Sequence, residues 1–336
     1  MDNRYKFRPM KKYFRRDFLF FLTVIASLVF SSCNRSGSNK QSAGDKDLKG
    51  KITISGAFAL YPLTVKWAEE FQKLHPNVTI NVSAGGAGKG MADALSQMVD
   101  LGMYSKDVSP EEKAKGAWFV PVAKDAVLPT INISNPVIRQ LKVNGMTRQV
   151  FYDIFVSGKI KSWGQAAGCG NKADLQTFTR SDACGAAEMW AKYLGAKTQE
   201  DMQGLGMNGD PGVADAIRKN VNGIGYNNLN FVFDMQTRKP YSGLDVVPID
   251  LNGNGKIDPE EDFYGSIDNV MRAIQNGIYP SPPARDLYLV SGGKPTNRVV
   301  IAFLQWVMTD GQKFLGEAGY VSVSEAKMKA AKEQLN

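Results

Sequence analysis

Three short stretches carry residue types and spacings that could hold a small anion: Ser55 to Pro62 (SGAFALYP), Ser83 to Gly90 (SAGGAGKG) and Arg180 to Ala187 (RSDACGAA). The first two join a strand pattern to a helix pattern, and the third leads into a helix rich in Ala and aromatic residues. The first turn of a helix leaves N–H groups without partners and gathers partial positive charge, so such corners attract oxyanions. Arg180 adds a planar fork of donors. Several corners meeting on one anion would need no metal and no catalyst. SAGGAGKG does not read as a nucleotide loop, because Ser83 stands where the first Gly of that motif belongs and Gly90 where a hydroxyl residue should follow the Lys.

A second constellation is separate. Asp250 to Glu261 (DLNGNGKIDPEE) follows the twelve-residue EF-hand loop, with Asp250, Asn252 and Asn254 at alternate positions, Gly255 at the sharp turn, the Lys256 carbonyl next, then Asp258 and Glu261. Oxygen ligands so spaced wrap a hard cation, and calcium is the expected ion. The flanking residues do not resemble two long EF-hand helices, so a structural clip is expected rather than a sensor.

Catalysis finds little to work with. The lone His75 follows a helix with no Ser or Cys partner beside it in the sequence. Cys184, near Asp182 and at a helix start, is the one nucleophile candidate, and a phosphatase built on the same anion cradle is the enzymatic alternative. A scavenging surface protein that binds a glycan through Trp163, Trp190, Tyr226, Tyr279 and Tyr288 is another, although aromatics at helical spacing are more often core.

The elements that must position these residues alternate in type. Lys51–Ser55 and Asn77–Val82 read as strands, as do Trp118–Val122 and Ala126–Ile133. Helical spacing marks Pro62–Leu74, Met91–Met98, Arg148–Phe155, Gly185–Leu194 and Thr296–Met308. The order implies an α/β protein with helices on both faces of the sheet. A length of 336 residues with 43% apolar and 22% charged residues suits two packed lobes with a ligand cleft between them.

The formal charge of +8 is concentrated at the start of the chain, where seven basic residues from Arg4 to Arg16, less Asp2 and Asp17, leave only about +3 for the remainder. No nucleic-acid partner is expected. The basic run precedes an apolar stretch from Phe18 to Phe30, then Ser31, Ser32 and Cys33, the order of a secretory signal with a lipid-accepting cysteine. An exported lipoprotein anchored to the membrane at Cys33 and facing the periplasm or cell surface is expected. In such a compartment Cys169 and Cys184 are free to pair, closing a loop of about 15 residues for roughly 3 kcal/mol, or to remain two buried thiols; pairing is the expectation.

Taken together and in this order, SGAFALYPLTVKWAEEF, VDLGMYS, VFYDIFVSGKIKSW, RSDACGAAEMW, GIGY and GKPTNRVVIAFLQWVMTDGQKFLGEAGYV resemble the phosphate-binding subunit of bacterial phosphate ABC importers, from Lys51 to about Ser324. The resemblance implies the type II periplasmic binding fold, two α/β lobes joined by crossing strands near Val127 and Tyr288 and closing by hinge motion. It divides the chain into a signal peptide (1–32), a tether (33–50), one lobe (51–126 with 285–336) and a second (127–284). The implied ligand is phosphate or a similar oxyanion, and the implied partners are the membrane subunits of an importer, served by a monomer. The anion-binding residues are then Ala59, Leu60 and Tyr61, Gly86, Ala87 and Gly88, Ser105 and Lys106, and Arg180, Asp182, Cys184, Gly185 and Ala186. Arg180, Asp182 and Gly185 match the family, whereas Leu60, Gly86, Cys184 and Ala186 stand where it has hydroxyls. Lys106 and Lys89 are available to compensate.

Overall fold

The computed structural model describes residues 48–336, so the expected secretory signal, the tether up to residue 47 and Cys33 lie outside the described residues. Nine strands form one curled mixed sheet: β1 (Gly50–Gly56), β2 (Val78–Ala84), β3 (Leu101–Tyr104), β4 (Ala117–Asn132), β5 (Gln176–Arg180), β6 (Leu205–Met207), β7 (Gly223–Asn228), β8 (Leu244–Val246) and β9 (Ala284–Gly292). Their order is β2-β1-β3-β9-β4-β7-β5-β6, with β8 on β4. The pairings β1–β2, β1–β3, β5–β6 and β5–β7 are parallel, and each of these parallel links returns through a helix. The chain has the α/β type II periplasmic binding fold.

β4 is the element the sequence reading divides in two. It runs unbroken for 16 residues, and a register shift between Pro121 and Ala123 takes up the irregularity read as a gap. Pro121 has no N–H for the ladder, so a bulge beside it is the expected accommodation. The first part of β4 pairs with β9 as far as Ala126 opposite Ala284, and from Val127 onward it pairs with β7, with β8 joining at Thr130.

Two large hydrophobic cores lie along this strand. One gathers Ile52, Leu63, Trp67, Phe71, Met103, Val120, Leu289, Phe303 and Val307; the other gathers Val127, Phe155, Trp163, Trp190, Tyr226, Tyr264 and Tyr279. Helix Tyr61–Leu74 owes its place in the first to Leu63, Trp67 and Phe71 on one face, with Pro62 in its first turn. Helix Gly185–Leu194 follows its expected bounds, and helix Ala87–Leu95 begins inside the glycine-rich loop, ahead of the periodic residues that announce it. Among the described residues no helix is long and apolar enough to cross a membrane.

Candidate anion site

The three corners meet. Gly88 N–H donates to the Ala183 carbonyl at 3.2 Å, linking the second loop to the third. A Cβ on Gly86 would lie 3.0 Å from Asp182 Oδ2, and Gly86 takes a φ of 91°, which favours glycine. A Cβ on Gly185 would lie 2.1 Å from the Ser105 carbonyl oxygen, so the turn after β3 packs directly on the third loop. From the first loop, Phe58 sets its ring 5.5 Å from the Arg180 guanidinium.

Arg180 is the last residue of β5 and its side chain is 1% exposed. Tyr226 Oη accepts from its backbone N–H at 3.2 Å and lies 2.7 Å from the Thr179 hydroxyl, which fixes the end of the strand. The guanidinium donates through Nε to Asp182 Oδ1 at 2.7 Å, through Nη2 to Asp182 Oδ2 at 2.6 Å, and through Nη1 to Asp210 Oδ2 at 2.7 Å. Burial opposes the charge, but Asp210 and Asp182 outweigh it and hold Arg180 above its ordinary range. For Asp182 burial pushes upward, and Arg180 prevails to keep the carboxyl below its usual value.

Much of the expected donor set is turned onto the protein. Leu60 and Tyr61 N–H groups donate to Ala57 and Phe58 carbonyls, Gly86 N–H to Gly56, and Cys184 N–H to Gln199 Oε1. Ala59 and Leu60 are buried, with the Ala59 carbonyl accepting from Tyr320 Oη at 2.8 Å. Ala87 and Ala186 are buried at their helix starts. Lys106 is paired with Glu188, and Lys89 with Asp93, so neither is a spare cation. Gly88, Lys106 and Cys184 line a cavity of about 520 Å³ together with Lys192, Lys197 and Gln199. Tyr61 lines a different one of about 740 Å³.

The expected disulfide is corrected: Cys169 and Cys184 are both free thiols. Cys184 is the buried N-cap of helix Gly185–Leu194, its Sγ accepting from Ala187 N–H at 3.4 Å, whereas Cys169 is only half-buried beyond helix Trp163–Ala167. Burial pushes the Cys184 thiol up to about 12, the reverse of what a nucleophile requires. His75 packs against Phe71, their ring centroids 4.5 Å apart and the planes tilted by 44°. Trp163, Trp190, Tyr226 and Tyr279 are core residues at no more than 1% exposure, so they offer no face to a sugar.

The residues missed by sequence reasoning lie around a further corner, MNGDPG at 207–212. Gly209 N–H, opening helix Gly209–Lys219, donates to Asp182 Oδ1 at 3.0 Å, so this helix start already holds a carboxylate from within the chain. Asp210, from the same turn, grips Arg180. The signal was present, since Gly, Asp and Pro after the short β6 mark a helix start.

In the loop at 250–261, Asp250 Oδ1 and Oδ2 accept from Gly253 and Gly255 N–H groups at 2.7 and 2.9 Å, and Glu261 Oε1 accepts from Leu251 at 2.8 Å. Asn252 and Asn254 both donate to Asp258 Oδ2, and Lys256 Nζ lies 2.7 Å from Asp258 Oδ1. These contacts, Lys256 foremost, hold the Asp258 carboxyl down at about 2. Among the described residues no group of three or more His, Cys, Asp or Glu side chains is placed to hold a metal, so a cation here would depend on the Asn252 and Asn254 amides and the Lys256 carbonyl as well.

Among known proteins, the chain is similar to the phosphate-binding protein PstS of Staphylococcus epidermidis, 25% identical over 317 residues that make up 92% of this chain and 90% of that protein. It is similar also to PstS of Xylella fastidiosa, 24% identical over 348 residues, covering 89% and 92%. Of solved structures, it resembles a phosphate ABC transporter substrate-binding protein with bound phosphate from Clostridium perfringens, with a TM-score of 0.66 at 21% identity over 82% of this chain and all of that one. An ABC-type phosphate transport receptor from Vibrio cholerae gives 0.59 at 19% identity, over 81% of this chain and all of the receptor. The family model described as the PBP superfamily domain matches residues 41–311, and on that span of the sequence the chain belongs to the PBP superfamily.

Proposed function

We propose that this protein captures inorganic phosphate outside the cytoplasm and delivers it to the membrane subunits of an ABC importer. The observation that carries the reading is the buried Arg180 fork at the meeting point of strand-to-helix corners, in a chain whose relatives are phosphate-binding proteins. An oxyanion entering beside Asp182 would meet the remaining N–H groups of Arg180, with Gly185 and Ala186 at the next helix start. Phosphate that retains a proton can donate to Asp182, whereas a fully deprotonated oxyanion would face that carboxylate without a shared hydrogen. Isothermal titration of the mature protein with phosphate, sulfate, arsenate and molybdate tests this: phosphate binding that sulfate does not displace supports it, and absence of heat with all four at millimolar concentration removes it.

The basic start, apolar run and Cys33 support a mature chain held at the membrane by lipid on that cysteine. The loop at 250–261 is proposed as a structural calcium clip, supported by its match to the EF-hand pattern at every ligand position.

A further inference from the structure

We propose that Asp210 is the positioning residue of Arg180, and that Asn228 and Arg285 tie this pair to Asp125, so that the anion site and the strands linking the two cores share one buried polar chain. None of Asp210, Asn228, Arg285 and Asp125 belongs to the three corners through which the anion would be held.

The chain can be followed atom by atom. Asp210 Oδ2 accepts from Arg180 Nη1 at 2.7 Å and from Asn228 Nδ2 at 2.8 Å, while Oδ1 accepts from Asn228 N–H at 2.8 Å. Asn227 Nδ2 donates to the Asp210 carbonyl at 2.9 Å. Asn228 Oδ1 accepts from Arg285 Nη2, and Arg285 Nε lies 3.3 Å from Asp125 Oδ1. Asp125 and Arg285 are register partners on β4 and β9, one pair before β4 leaves β9 for β7. The side chains of Asp210, Asp125 and Arg285 are 0%, 1% and 4% exposed, so water does not screen these contacts.

The two ends of the chain differ. At the Arg180 end three guanidinium donors meet carboxylate oxygens at short distance. At the Asp125 end the fit is slacker: Arg285 Nη2 reaches Asp125 Oδ2 at 3.4 Å, while Arg285 Nε and Nη1 and Asp125 Oδ1 are buried without a hydrogen bond of good geometry. Buried polar atoms so held are costly to disturb, which makes this end sensitive to small shifts of β4 against β9. An anion drawing on Arg180 shifts the hold of Asp210, and Asn228 passes that shift to the slack pair at the crossing. Burial pushes the Asp125 carboxyl up, Arg285 opposes this and Asp210 adds to it, so charge at the Asp210 end is felt at the other.

The test uses the mature chain and two readouts: titration with inorganic phosphate, and the NMR signal of the Arg180 Nε–Hε group, assigned with Arg180→Lys. Asp210→Asn is expected to weaken phosphate binding roughly tenfold or more. Asp125→Asn, a near-isosteric change that touches no residue of the three corners, is expected to weaken or strengthen it roughly threefold or more and to move the Arg180 signal. If Asp125→Asn leaves both affinity and signal at wild-type values, the chain does not couple and the proposal is overturned. If Asp210→Asn lowers only the melting temperature, Asp210 is a structural partner and the positioning role fails. The affinity arm rests on the phosphate reading; should the wild type bind no phosphate, that reading alone is lost, and the response of the Arg180 signal to Asp125→Asn still decides the inference.

Discussion

Asp182 faces Arg180 with both oxygens, at 2.7 Å to Nε and 2.6 Å to Nη2, and the same Oδ1 accepts the N–H of Gly209. A carboxylate from within the chain thus takes part of the fork and one helix start, and an incoming oxyanion has to share them.

Arg180→Lys keeps the charge and loses the fork. It is expected to weaken phosphate binding by roughly a hundredfold, because one ammonium cannot hold Asp182 and Asp210 in the same plane and still face an anion. Titration calorimetry reads this directly, and near wild-type affinity would show that planar recognition is not required.

Gly185→Ala introduces a methyl at 2.1 Å from the Ser105 carbonyl, where only backbone movement makes room. It should cost several kcal/mol, on the order of 3, and reduce anion binding, since it pushes the third loop away from the turn after β3. Gly170→Ala, with nothing within 4 Å of the new methyl, is the control expected to unfold at the wild-type temperature.

Thiol labelling separates the two cysteines. Ellman's reagent on the native, unreduced protein is expected to modify the half-buried Cys169 readily and Cys184 only on unfolding, because burial holds the Cys184 thiol near 12 and away from solvent. Rapid labelling of both would contradict the packed cap, and labelling of neither until reduction would restore the disulfide.

The contribution of Asp125 to stability should fall as pH rises from about 4 to about 7. Burial pushes the folded-state pKa of Asp125 from 3.8 to about 7, so in that window the folded chain keeps a proton that the unfolded chain has released. Above about 7 both states are ionised at this site and its contribution to the slope vanishes. Urea unfolding across this range is expected to show a shallower fall for Asp125→Asn than for the wild type; parallel slopes would mean that Asp125 does not carry the effect.

Calcium is expected to raise the melting temperature of the wild type and to leave Glu261→Gln unchanged, with phosphate affinity the same in either case. Identical melting curves in calcium and in chelator would leave the loop as a turn held by the contacts of Asp250, Asp258 and Glu261.

Periodicity served well where burial is one-sided. Helix Tyr61–Leu74 and helix Gly185–Leu194 show it, because apolar residues at helical spacing have one face to cover. It failed on β4, where polar Lys124 and Asp125 fall mid-strand between two cores and look like an interruption. Arg180 and Asp182 were legible as neighbours because a forked cation two residues before a carboxylate, ahead of a helix start, has its partner close in the chain. Asp210, Asn228, Arg285 and Asp125 were not, since only the folded sheet brings residues so distant in sequence to one buried line. Lys106 and Lys89 misled for a similar reason: a sequence displays a cation, while the acid that neutralises it, Glu188 or Asp93, is found by the fold.

The unbroken course of β4 makes the two halves mechanically inseparable. A strand whose first part completes the ladder of one core and whose last part completes the other resembles a leaf spring clamped at both ends. A proteolytic cut or split-protein boundary between 117 and 132 would deprive both fragments of a central strand, so complementation from two pieces should succeed only with breakpoints elsewhere, such as the exposed turn at 276–278.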